Sequence, residues 1–126
     1  MVLTFWATWC GPCRAGMPAM NELAEWAASS GKPIKVFAIN IGEPKEKAAQ
    51  YWESQKFGFP CLLDPTNSSA MAYGAQSIPL AVVIGPDGKV AEIKVGLSFN
   101  PQDAASKDKH LDEMKAKLEK LAATQG

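Results

Sequence analysis

The fold is decided by the stretch from Val2 to Cys13, which reads VLTFWATWCGPC. Its apolar first half predicts a buried strand that delivers two cysteines to the start of a helix. The unpaired N–H groups and the dipole of a helix N-terminus stabilise a thiolate, so Cys10 is placed as a nucleophile. Cys13 lies three residues further on the same face of the first turn, within reach of Cys10. This pattern predicts reversible thiol–disulfide exchange.

Composition limits the class of protein. The 126 residues predict one domain, residues 1–126, with 47% apolar and 21% charged residues as in ordinary globular proteins. Thirteen basic residues balance thirteen acidic ones and form no basic run, which argues against nucleic acid or an anionic membrane as a partner. No apolar stretch is long enough for a membrane helix, so we expect no membrane insertion by this segment.

The chain begins abruptly. Met1 directly precedes what should be a central strand, and domains rarely start in this way. We therefore expect an excised domain that lacks its native N-terminus, and the absence of a leader says little about the cellular compartment.

Patterning along the rest of the chain predicts a mixed sheet with helices on both faces, in the order β-α-β-(α-β)-α-β-β-α. Strand–helix–strand units favour parallel pairing, and the turn at residues 85–88, Gly-Pro-Asp-Gly, predicts a closing antiparallel hairpin. The predicted strands are residues 2–7, 34–40, 61–63, 80–84 and 89–95, and the predicted helices are residues 10–29, 44–57, 68–73 and 103–123.

This order, together with the Trp-Cys-Gly-Pro-Cys motif at residues 9–13, resembles the thioredoxin superfamily and more specifically its TlpA/ResA-like thiol–disulfide oxidoreductases. The likeness covers nearly the whole chain. Its other marks are Pro18, Phe59-Pro60, Ser77-Ile78-Pro79 and the hairpin turn. The resemblance implies a thioredoxin-like α/β fold with an α-β insertion at about residues 44–63.

The resemblance also implies the site. Cys10 and Cys13 form the redox-active disulfide and are the catalytic residues. Ile78-Pro79 is expected to be a cis peptide that faces this disulfide and presents the Ile78 backbone to an extended substrate segment. Substrate contact is expected from these two residues and from Trp9, Gly11 and Pro12.

Two positions depart from the family pattern. Thr4 stands where related proteins commonly place a buried acid, six residues before the first cysteine. Gly16 stands where ResA-like members often place a glutamate, three residues after the second cysteine. Either acid would help to deprotonate Cys13, so the proton acceptor for this thiol is not identified by the resemblance.

A metal site is the alternative use of the cysteine pair. Cys61 and His110 would have to complete a Cys₃His zinc set, or the pair alone would bind copper as in a metallochaperone. We expect neither a metal nor another cofactor, because Cys61 falls in a predicted core strand and no second paired spacing occurs. Cys61 is expected to pack as a small hydrophobe, and His110 to be a surface or half-buried residue rather than a catalytic one.

The sequence therefore predicts a disulfide reductase that acts on protein substrates and exchanges electrons with a redox partner protein, as a monomer. The resemblance implies a bacterial envelope reductant of the periplasm, with cytochrome c biogenesis as one role. A general thioredoxin is the alternative, and the compartment would be cytoplasmic if Met1 is the native start.

Overall fold

The computed structural model describes residues 1–74, 77–97 and 99–123, apart from the side chain of Ser69. The predicted order of elements is confirmed, and most boundaries move by one or two residues. Along the chain, the elements are β1 (Val2–Trp6), α1 (Gly11–Ser29), β2 (Val36–Ile41), α2 (Lys45–Gln55), β3 (Cys61–Asp64), α3 (Ser68–Ala72), β4 (Leu80–Ile84), β5 (Val90–Val95) and α4 (Ala104–Ala123).

The five strands form one sheet in the order β3-β2-β1-β4-β5. β1 pairs in parallel with β2, and β2 in parallel with β3. β4 runs antiparallel to β1 and pairs antiparallel with β5, which it joins through the hairpin turn. The predicted mixed sheet is confirmed, and β1 lies at its centre.

Apolar side chains alternate along β1 and supply a core to each face of the sheet. Val2 and Trp6 pack with α1 and α4 on one face, and Tyr51 and Trp52 of α2 join this cluster. Leu3 and Phe5 point to the other face, where Ala70 and Tyr73 pack against them from α3 and the residues after it. The chain therefore covers both faces with helices, as the pattern predicts.

The start of α1 is fixed by its own sequence. Cys10 is the N-cap residue, with an extended backbone, and Pro12 lies in the first turn, where a missing N–H costs little. The helix continues through Pro18 to Ser29. Ser30 closes it by donating its backbone N–H and its hydroxyl to the carbonyl of Ala27.

The placement of Cys61 in a core strand is wrong. β3 pairs with β2 on one side and forms an edge of the sheet. Leu62 and Leu63 are 47% and 41% exposed, and Cys61 is half-buried. A short apolar run does not distinguish a central strand from an edge strand, because both can follow a parallel crossover.

None of the helices that the structure describes is both long and apolar enough to cross a membrane.

Candidate active site

Cys10 and Cys13 meet at the N-terminus of α1. Their sulfur atoms lie 2.22 Å apart in a disulfide, and their Cα atoms are separated by 5.2 Å. The backbone N–H of Cys13 donates to the Cys10 sulfur at 3.2 Å. In the reduced protein this N–H and the helix dipole favour a thiolate on Cys10 over one on Cys13.

Both sulfurs are shielded in this disulfide form, since Cys10 is only 5% and Cys13 only 2% exposed. The neighbours of Cys10 are open to solvent instead. Trp9 is 69% exposed, and Gly11 and Pro12 are also exposed. These three residues form an exposed rim beside Cys10.

The second wall of the site is the loop that leads into β4. The Ile78-Pro79 peptide bond is cis, as the resemblance implies. The carbonyl oxygen of Ile78 lies 3.8 Å from the Cys10 sulfur, and both residues of the bond are half-buried. The structure thus brings Ile78 and Pro79 together with the disulfide, 68 residues away in sequence.

Glu43 is a residue that the sequence interpretation missed. Its buried carboxylate accepts hydrogen bonds from the backbone N–H of Thr8 at 2.6 Å, from the Thr8 hydroxyl at 2.5 Å and from the Asn40 amide at 2.9 Å. Lys47 forms an ion pair with it at 3.4 Å. Burial alone would raise the pKa of Glu43, but these donors outweigh it and hold the pKa below its usual value.

A signal for Glu43 was present in the sequence. It follows the carboxyl end of β2, and the cysteine loop follows the carboxyl end of β1. Neighbouring parallel strands bring the residues after their carboxyl ends to one edge, where sites in α/β sheets form. The contact from Glu43 to Thr8 therefore anchors the segment that carries Trp9 and Cys10.

The two departures from the family pattern lie together behind the disulfide. Thr4 and Gly16 line a cavity of about 40 Å³, mostly but not wholly apolar, that also reaches Cys13. A Cβ atom on Gly16 would lie only 2.5 Å from a terminal methyl group of Leu97, so this side chain fills the space that a larger residue would need. His110 lines the same cavity and is half-buried, in agreement with the sequence-based expectation for its exposure.

Cys61 lies apart from the disulfide. It lines a different cavity, between β3 and α2, together with Trp52 and Leu63. Burial raises the pKa of its thiol, and the Trp6 indole and Asn40 backbone offset only part of that effect. In the described part of the chain, no three His, Cys, Asp or Glu side chains come close enough to hold a metal ion.

The arrangement contains the parts needed for thiol–disulfide exchange. A helix N-terminus and a backbone N–H stabilise the sulfur that attacks, a second sulfur lies within bonding distance, and a cis-proline loop offers backbone groups beside them.

Comparison with known proteins supports this interpretation of the geometry. The family model described as Redoxin matches residues 1–111. Among curated relatives, the thiol-disulfide oxidoreductase ResA of Geobacillus thermodenitrificans is 37% identical over 94 residues, or 75% of this chain and 53% of that protein. ResA of Bacillus subtilis is 33% identical over the same length, or 75% of this chain and 51% of that protein. The chain thus spans about half the length of these relatives.

The fold is also similar to solved structures. A Chlorobium tepidum protein assigned as the thiol:disulfide interchange protein DsbE superposes with a TM-score of 0.75 at 30% sequence identity. The superposition covers 93% of this chain and 78% of that one.

Proposed function

Because the chain belongs to the redoxin family, as a ResA-like member of the thioredoxin superfamily, we propose that it is a thiol–disulfide oxidoreductase of protein substrates. The observation that carries the proposal is the Cys10–Cys13 disulfide at the N-terminus of α1, with the Ile78 carbonyl 3.8 Å from the Cys10 sulfur. A structural disulfide needs neither the helix N-terminus nor the adjacent cis-proline loop.

In the reaction, the Cys10 thiolate attacks one sulfur of a substrate disulfide. A bond forms between Cys10 and that sulfur, and the other substrate sulfur leaves as a thiolate. Cys13 then attacks the Cys10 sulfur, which releases the second substrate thiolate and closes the Cys10–Cys13 disulfide. The protein dithiol loses two electrons and the substrate disulfide gains them. The two cysteines release two protons, and the two substrate thiolates take up two protons from solvent.

Substrate binding is assigned to the rim around Cys10. An extended substrate segment can pair as an added strand with the backbone of Ile78, which precedes Pro79 in a cis peptide bond. Trp9, Gly11 and Pro12 form the opposite side, because they are exposed next to the reacting sulfur.

The proposal also covers the direction of electron transfer and the cellular compartment. We place the protein in the bacterial envelope as a reductant, with apocytochrome c among its substrates and a dithiol protein as its electron donor. The support is its similarity to ResA proteins, half of whose length it spans.

The test is catalysis of insulin disulfide reduction by dithiothreitol. We expect the wild-type protein to accelerate the reaction, Cys10→Ser to abolish the acceleration, and Cys61→Ala to retain it, since Cys61 lines a separate cavity. A wild-type rate no greater than that of dithiothreitol alone would contradict the proposal. Equilibration with glutathione buffers then gives the reduction potential, and a potential well above that of glutathione would exclude the reductant role.

A further inference from the structure

The cavity behind the disulfide carries an inference about how Cys13 loses its proton. Thr4, Cys13, Gly16, Lys94 and His110 are among the residues that line it, and its volume is about 40 Å³. A buried water molecule needs about 10–15 Å³ and two to four polar partners, and this cavity offers both, since Thr4, Cys13, Lys94 and His110 line it. The cavity is therefore a path by which a proton can leave a buried thiol.

Among the described residues that line this cavity, Cys13, Lys94 and His110 are titratable. A lysine ammonium has no lone pair and cannot accept a proton, and the Thr4 hydroxyl is not a base at neutral pH. The Glu43 carboxylate is occupied by Thr8, Asn40 and Lys47 and does not line the cavity. His110 remains as the group with a free lone pair in its neutral form.

The environment of His110 keeps it neutral and fixed in position. Its ring stacks on Phe99, with ring centroids 4.7 Å apart and an interplanar angle of 25°. Burial, and secondly the Lys94 ammonium, lower the pKa of His110 below the usual 6.5, and Glu113 on its own helix offsets only part of this. The imidazole is therefore unprotonated near neutral pH and available as a base.

Ion pairs also form on the elements that line the cavity. Lys94 of β5 forms an ion pair with Glu92 at 3.6 Å, and Glu92 also binds Lys117 of α4. Cys13 of α1 lines the cavity. Glu22, also of α1, forms an ion pair with Lys107 of α4 at 3.0 Å.

We propose that His110 accepts the proton of Cys13, through a water molecule in the cavity, when Cys13 resolves the mixed disulfide between Cys10 and substrate. The proposal rests on the exchange reaction described above. Cys13 gives its proton to water, which passes one to the imidazole nitrogen. The thiolate then bonds to the Cys10 sulfur, and the bond from Cys10 to the substrate sulfur breaks. The leaving substrate thiolate is protonated by solvent, and His110 later returns its own proton to solvent.

The experiment separates the two attacks in time. Reduced protein in a Cys61→Ala background is mixed rapidly with dithiobis(nitrobenzoate), each half of which becomes a coloured thiolate when released. Attack by Cys10 releases the first half, and resolution by Cys13 releases the second. The first phase tests the proposed function, and the second phase alone tests His110.

In the wild type, we expect the second phase to rise with pH to a midpoint below 6.5, where the imidazole loses its proton, and then to stay level through neutral pH. In His110→Gln, the rate of the second phase near neutral pH is lower by about a hundredfold. This rate shows no plateau and instead keeps rising with pH as Cys13 itself ionises. The first phase stays unchanged in both proteins.

Three further variants distinguish proton transfer from packing. Phe99→Leu disturbs the stacked ring but keeps the base, so the rate of its second phase still rises with pH to a plateau, which His110→Gln lacks. Lys94→Gln removes a neighbouring positive charge and moves the midpoint upward. Imidazole in solution restores the second phase of His110→Ala. His110 is the single histidine of the chain, so its ring resonance in an NMR titration reports the same midpoint without ambiguity.

A second phase with the same rate and pH dependence in wild type and His110→Gln would overturn the proposal while leaving the exchange reaction intact. Absence of the first phase in the folded wild-type protein would instead overturn the proposed function.

Discussion

At the residue scale, the carboxylate of Glu43 is a positioning group for the active-site loop. It accepts two hydrogen bonds from Thr8, which precedes Trp9 and Cys10 in the chain. Hydrogen bonds to a buried charged acceptor are stronger than those between neutral groups. Loss of the charge should therefore loosen the loop that holds the nucleophile.

We predict that Glu43→Gln lowers the free energy of unfolding by about 1–3 kcal/mol at neutral pH, because an amide oxygen cannot accept all of these donors. The folded-state pKa of Glu43 lies below its usual 4.5, so its contribution is complete above that value and is lost as pH falls through the folded pKa. Urea denaturation should show the difference between variant and wild type shrinking in acid.

Glu46→Gln is the matched control, since Glu46 lies exposed in the first turn of the neighbouring helix α2. It should change stability by less than about 0.5 kcal/mol. Equal losses in the two variants would show that Glu43 contributes no more than a surface charge.

At the scale of elements, α1 carries the nucleophile Cys10 at its start and, six residues later, a glycine with little space around it. Gly16 faces Leu97, a residue of the segment after β5, and a Cβ on Gly16 would require the Leu97 methyl group to shift. Gly16 and Cys13, three residues apart on α1, line the same cavity. That space is closed by Leu97, which no periodicity within α1 could reveal.

We predict that Gly16→Glu lowers the free energy of unfolding by about 1–3 kcal/mol through overpacking against Leu97. The added substitution Leu97→Ala should recover part of the loss by making room for the carboxylate. Ala15→Glu, at an exposed position one residue earlier, is the control and should be nearly neutral. A Gly16→Glu protein as stable as the wild type would contradict this account of the packing.

The sequence predicted the elements well because each is marked locally. Periodicity defined α1 and α4, and the Gly-Pro-Asp-Gly turn defined the hairpin of β4 and β5. It could not predict that β3 lies at an edge, because strand order depends on how crossovers pack in space. The same distinction holds at the site. Cys10 and Cys13 could be identified because their spacing is local. The contact from Glu43 to Thr8 and the cavity shared by Cys13 and His110 could not, because they join residues far apart in sequence.

At the scale of the whole molecule, the sheet explains why distant residues meet at the disulfide. β1 and β2 are parallel, so the cysteine loop and Glu43 leave the sheet at the same edge. β4 runs antiparallel to β1, and Leu80 at its start pairs with Phe5 near the end of β1. The cis-proline loop therefore also lies at the carboxyl end of β1. Behind the disulfide, His110 of α4 lines the cavity that Cys13 also lines.

The central claim is that Cys10 attacks the substrate and Cys13 resolves the product. Mass spectrometry of trapped adducts tests it most directly, with Cys13→Ser and Cys10→Ser each made in a Cys61→Ala background and mixed with a disulfide-bonded peptide. We predict that Cys13→Ser accumulates a mixed disulfide on Cys10, since no second thiol can release the peptide, and that Cys10→Ser accumulates little. Preferential trapping on Cys13, or equal trapping on both, would contradict the account.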